Sequence, residues 1–208
     1  MPIQNYITSS CVISNNTVYK NDEVILANKS IDPTAFFLSI YQYLDNGYAR
    51  FYKMDPLCKL AWLTSELLLK DGFQKENYQP EEIGLVLTNA NASLDTDSKY
   101  LETTKDIASP SVFVYTLPNI MIGEISIRNH FKGESAFFVF EKFDAGFLEQ
   151  YVNNLLNNDI LQACICGWVE LLGNEYKAVL YLVEKKNSTG GMLFTKQNIG
   201  SIFESEKR

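Results

Sequence analysis

Few side chains in this sequence have the type and setting that chemistry needs. The clearest is Lys142, flanked by Glu141 and Asp144, between the apolar run Phe137-Phe138-Val139-Phe140 and a helix that the pattern starts at Asp144. A strand–turn–helix of this kind puts its turn at a helix amino end, where the dipole and free amides lower a nucleophile's pKa and steady an oxyanion. A lysine suits such a place poorly, by ~0.3–1 kcal/mol, and the two neighbouring carboxylates offset that cost. Two readings follow: an exposed or salt-bridged lysine without chemistry, or a desolvated amine nucleophile. The other candidates are four cysteines, at positions 11, 58, 164 and 166, and the one histidine, His130. Cys164 and Cys166 stand two apart on an expected strand and so face one side of it. No set of ligands accompanies them, so no metal is expected, and buried free thiols in a reducing cytoplasm account for all four. His130 reads as a helix-end residue. Gly190-Gly191 lacks the strand, spacing and lysine of a phosphate loop.

Elements that would hold these residues can be read along the chain. Residues 5–14 alternate weakly and suggest a first strand. Asp32-Pro33 and Asp55-Pro56 each open a helix, the first carrying Phe36, Phe37, Ile40 and Tyr43, the second Leu57, Leu60, Ala61, Thr64, Leu67 and Leu68. Ile83 to Leu87 is a continuous apolar run, the mark of a strand covered on both faces. A polar helix over 95–106 and a helix over 119–130 follow. Then come a second buried strand over 136–140, a helix over 144–156, and strands over 162–170 and 177–183 joined around Gly173-Asn174. Alternating strands and helices specify an α/β fold with a largely parallel sheet. The organisation expected is one domain over 1–186 and a polar segment without clear period over 187–208, either a tail or an arm on a partner.

Composition narrows the function classes. Of 208 residues, 46% are hydrophobic and 21% charged, which suits a folded chain. The formal charge of -7 argues against nucleic acid, since phosphate binding needs concentrated lysine and arginine. Arg50, Lys53 and Lys59 form the one loose basic group, either a patch for an acidic partner or a solvated helix entrance. The start, Met1-Pro2-Ile3-Gln4-Asn5, has no leader pattern, and no stretch reaches the ~18 apolar residues of a membrane span. A cytoplasmic protein is expected.

Ordered motifs then point to a family. Thr116-Leu117-Pro118-Asn119, Gly123-Glu124-Ile125, Ile127-Arg128 and Gly133 resemble the segment that leads β-ketoacyl-(acyl carrier protein) synthases into their catalytic-cysteine turn. Tyr48 to Asp55, Ala61 to Gly72, Gln79 to Val86 and Asp95-Thr96 are similar to earlier motifs of the same family, in the same order. Cys166-Gly167-Trp168-Val169-Glu170 looks like its later glycine–glutamate strand. Counting forward from Gly133 and back from Cys166 both place the nucleophile at position 142, which is Lys142. The subgroup it most resembles is the short type found with aryl-polyene and flexirubin pathways.

The resemblance implies half of a thiolase-like fold, a mixed, mostly parallel five-stranded sheet with helices on both faces. It implies no cofactor. The family's second half brings two histidines for decarboxylation, whereas His130 lies upstream of position 142, so condensation lacks both nucleophile and histidines. In the family's dimers the loop matching Thr116 to Met121 lies near the interface and walls the neighbour's acyl tunnel, a role open to Thr116, Leu117, Pro118, Asn119 and Met121. The alternative is that Pro118 sets a helix start and Met121 packs inward. Helix faces that a second half would cover should stand bare and apolar, and call for a partner. The expected function is a non-catalytic accessory subunit like a chain-length factor, pairing with itself or with a complete ketosynthase, and possibly meeting acyl carrier protein. The alternatives are residual acyl transfer or thioester hydrolysis, and a stand-alone acyl or small-ligand module.

Overall fold

A computed structural model describes residues 4–29, 31–185 and 190–205. Its strands are β1 (Tyr6–Ser14), β2 (Thr17–Lys20), β3 (Glu23–Ala27), β4 (Ile83–Asn89), β5 (Ser135–Val139), β6 (Ala163–Leu172), β7 (Glu175–Glu184) and β8 (Met192–Leu193). The helices are α1 (Pro33–Leu44), α2 (Pro56–Leu69), α3 (Leu94–Thr103), α4 (Pro110–Phe113), α5 (Ile120–Asn129), α6 (Ala145–Asn157) and α7 (Lys196–Glu204).

Local chemistry explains where the helices begin. The side chains of Asp32, Asp55 and Asp144 accept from the first free amides of α1, α2 and α6. In α1 and α2 a proline follows directly, where its missing N–H is no loss. His130 ends α5 in the left-handed conformation, with φ of 58°.

The sheet order is β3-β2-β1-β7-β6-β4-β5, with β8 also paired to β1. β1, β6, β4 and β5 share one direction and β7 runs against them, because β7 is antiparallel to both β1 and β6 while β4 is parallel to β6 and β5. The mixed α/β core of five strands is therefore present, four of them in one sense. The sheet has eight strands rather than five, because a β1–β2–β3 meander and β8 extend it. Gly167 lets β6 and β7 meet: a Cβ there would lie 2.0 Å from the Val179 carbonyl oxygen.

Two cores cover the two faces. α1, α2 and α5 pack on one side through Phe36, Ile40, Leu60, Trp62, Leu67 and Ile125. α6 and α7 cover the other through Leu148, Val152, Leu156, Ile199 and Ile202, with Phe194 from the segment before α7. β4 is buried along its whole length, as its unbroken apolar run requires.

Two expectations change. The 190–205 part of the expected tail is a strand and a helix of the domain: β8 pairs with β1, and Phe194, Ile199 and Ile202 join the core. Ile199 and Ile202 stand three apart on one helical face, a period too short to stand out among polar neighbours. Residues 187–189 and 206–208 of that segment, and Met1 to Ile3, lie outside the described residues. β5 is an edge strand, half-buried instead of buried, because its apolar run has β4 on one side and no strand on the other among the described residues. The face of α6 that carries Gln150, Asn153, Asn154 and Asn157 is polar. No helix among the described residues is long and apolar enough to cross a membrane.

Candidate functional site

At the carboxyl ends of β4 and β5 the chain leaves toward opposite faces, from β4 toward α5 and from β5 toward α6. Open α/β sheets bind ligands where connections diverge in this way. The turn carrying Lys142 lies here, with the Phe140 amide donating to the Asn89 carbonyl at 2.9 Å. Asp144 is fixed as the cap of α6, accepting from the Phe147 amide at 2.9 Å. Glu141 and Lys142 are exposed, and Lys142 forms no ion pair among the described residues. Of its two sequence readings, the exposed lysine is the one present, and the geometry provides no desolvated amine.

The facing loop is held by side chains the sequence did not single out. Asn89 bonds Ala92 in both directions, accepting its amide at 2.9 Å and donating to its carbonyl at 2.8 Å, while Ala92 takes a φ of 49°. Glu170 accepts from the amides of Ala90 at 2.6 Å and Asn91 at 3.2 Å with one oxygen, and from Leu171 at 3.1 Å with the other. The glutamate of the Cys166–Glu170 motif is thus a loop anchor, its oxygens already occupied by backbone. Its place in that motif was the one signal available; for Asn89 there was none.

None of the thiols reaches this turn's surface. Cys11, Cys58, Cys164 and Cys166 are all free and buried. Burial pushes Cys11 up to about 12 and holds Cys58 and Cys166 well above the ordinary thiol value, with Asp55 adding to the effect at Cys58 and Cys164 at Cys166. A thiol raised in this way is a core residue, not a nucleophile. Among the described residues no group of histidine, cysteine and carboxylates could hold a metal ion.

The 116–121 segment divides. Leu117 is 53% exposed and Asn119 is on the surface, whereas Met121 is 0% exposed within the core under α5. Because α5 starts at Ile120, Met121 and Ile125 fall four apart on its inner face. Met121 therefore leaves the set of interface candidates, and Thr116, Leu117, Pro118 and Asn119 remain. Thr116 is partly tied inward, its carbonyl accepting from Ser93 at 2.5 Å.

The loose basic group is dispersed. Arg50 pairs at 2.9 Å with Glu124, whose side chain is 4% exposed, and Tyr115 donates to the same carboxylate oxygen at 3.4 Å. Burial, with Glu124 next in effect, raises Tyr115 to about 12. Lys59 lies over the Phe51 ring, which leaves Lys53 as the exposed member with no ion pair among the described residues.

Several apolar side chains of α3, of the 113–117 segment and of β5 are exposed instead: Leu94, Leu101, Phe113, Val114, Leu117 and Val139. Beside the free edge of β5, half-buried Phe138, Phe140, Phe147 and Tyr151 form an aromatic cluster with ring centroids 4.7 to 6.2 Å apart. An open cleft of about 1090 Å³ lies at the carboxyl end of β6, lined by Ser14, Lys29, Asn91, Trp168 and Tyr176 among others. The buried Ser14 hydroxyl has no protein partner there.

No protein-family model and no curated protein matches the chain. Solved structures do. The ishigamide ketosynthase/chain length factor aligns with a TM-score of 0.63 at 17% identity, over 90% of this chain and 64% of that one. A structure of the ketosynthase ApeO in complex with its chain length factor ApeC, from Xenorhabdus doucetiae, aligns at 0.55 and 14%, over 89% and 80%. A β-ketoacyl synthase from Burkholderia phymatum aligns at 0.59 and 11%, over 91% and 62%. The chain has the thiolase-like fold of ketosynthases and chain length factors, and it spans under two thirds of the first of these structures.

Proposed function

We propose that the protein is a non-catalytic, ketosynthase-like subunit that works in the cytoplasm beside a complete ketosynthase in fatty-acid-like or polyene synthesis, in the manner of a chain-length factor. The reading is carried by the turn at position 142, where the motif count expects the nucleophile and an exposed lysine stands, while Cys11, Cys58, Cys164 and Cys166 are buried. The partner surface is the flank that runs from Leu117 and Val114 to Val139 and the open edge of β5. An unpaired strand edge bordered by aromatic side chains suits strand addition by another chain, and structures of this fold include a ketosynthase with its chain length factor and a ketosynthase with an acyl carrier protein. A homodimer would use the same surface.

The test is incubation of the pure protein with acyl- and malonyl-carrier protein, followed by intact-mass measurement and product analysis. The expected result is no ketoacyl product and no acylated protein. An acyl adduct on Lys142 or on any cysteine would favour residual acyl transfer and end the reading. A second reading, a small-ligand module, rests on the cleft with its unpartnered Ser14 hydroxyl. It predicts a compound that raises the melting temperature of the wild type and not of Ser14→Val.

A further inference from the structure

The turn that carries Lys142 has a second attachment, and it comes from the segment whose sequence looked like a tail. Phe143, next to Lys142, stacks face to face on Phe203 of α7, with ring centroids 3.9 Å apart and planes at 6°. Both rings meet Trp168 of β6 edge-on, at 6.1 and 6.4 Å. Lys177 of β7 donates to the Phe203 carbonyl at 2.7 Å and lies 4.1 Å from the centre of its ring. It thereby satisfies a carbonyl in the last turn of α7, where a cation is favoured.

The helix is also fastened upstream. Thr195 caps its start, and the buried Tyr181 hydroxyl donates to the Ile199 carbonyl at 2.8 Å. Before it, the Phe194 amide donates to the Asn5 carbonyl at 2.9 Å as β8 runs along β1. A helix held at its start, middle and end against the sheet presents Phe203 in a fixed place.

We propose that α7 is an intramolecular clamp on the turn 140–144: Phe203 holds Phe143 against Trp168 and so fixes the turn and the first residues of α6. Asp144 adds a second side-chain anchor to that turn, its cap bond to the Phe147 amide. Phe140 and Phe147, on either side, touch each other at 4.7 Å and belong to the aromatic cluster beside the β5 edge. The clamp therefore sets the shape of that surface from a helix on its far side. The inference rests on the fold and not on the partner reading, and its test reads the turn itself.

The test is native-state hydrogen exchange of Phe203→Ala, compared with wild type at amides 141–147 and at the β6 and β7 amides. Loss of an aromatic stack is expected to speed exchange in 141–147 by about tenfold and leave β6 and β7 unchanged. If Phe203→Ala does not fold, Phe203→Leu keeps apolar volume while removing the flat stack, and the same selective increase is expected. Unchanged exchange at 141–147 would overturn the clamp. So would an equal rise everywhere, which would make α7 one more part of the core. A smaller particle in solution with no change at 141–147 would count against the clamp while leaving the partner reading intact.

Discussion

The two ends of the sheet solve the same problem in opposite ways. At one end β1 is shielded by the β2–β3 meander and by β8, and the outermost strand, β3, is short and begins with the charged Glu23. At the other end β5 carries Phe137, Phe138 and Val139 with no strand beyond it among the described residues. Proteins ordinarily blunt an unpaired edge with charge, brevity or cover. The two edge strands are equally short, five residues each; a charge opens the β3 edge, and apolar and aromatic groups stand at the β5 edge. The contrast teaches that the two edges differ in what they leave open, a charged start at β3 and aromatic and apolar side chains at β5. The α6 face with Gln150, Asn153, Asn154 and Asn157 is polar, while Leu117 and Val139 are apolar and exposed.

The sharpest way to break this contrast is to put a charge on each side of a single short segment. Met121→Asp buries an unpaired carboxylate in the core and should cost about 3–5 kcal/mol in urea unfolding. Leu117→Asp, four residues earlier on open surface, should stay within about 0.5 kcal/mol of wild type. Equal effects would mean that the division of this segment into core and surface is wrong.

A middle-sized effect is expected from alkali, which acts on the closed interior. Burial raises Cys11 from 9.0 to about 12 and Tyr115 from 10.0 to about 12. The folded state thus keeps protons that the unfolded chain releases, so this contribution to stability is complete below pH 9 and is lost as pH rises toward 12. Unfolding midpoints measured from pH 8 upward should fall across that window. A flat profile would show that neither group is buried as described.

The smallest effect on stability should come from Val139→Asp, within about 0.5 kcal/mol, since the side chain is 52% exposed. Its effect on assembly should be the largest of the set. Sedimentation of the variant should give a smaller particle than wild type, or show loss of a bound ketosynthase. An unchanged assembly would place the β5 edge outside the interface and favour the ligand-module reading.

What was legible in the sequence was local. The Asp-Pro pairs at 32–33 and 55–56, the Asp144 start and the unbroken run of β4 each appear where their chemistry demands, because a cap or a strand covered on both faces needs only neighbouring residues to declare itself. The ordered motifs extended this to a thiolase-like fold. Strand neighbours were not legible. The runs at 83–87 and 135–139 look alike, yet one is buried at every position and the other lies at an edge, because burial depends on which strands come to lie beside it.

The candidate site divides in the same way. By itself the sequence determined that a lysine stands in the turn after β5, that a capped helix follows it, and that no cysteine lies nearby. Tertiary structure decided that this lysine faces solvent, that Met121 is core while Leu117 is surface, that Glu170 anchors a loop, and that Phe203, sixty residues on, stacks against the turn. The physical reason is range. Caps, turns and strand runs are written in bonds between neighbours, whereas exposure, pKa and aromatic stacking depend on which distant segments the sheet brings together.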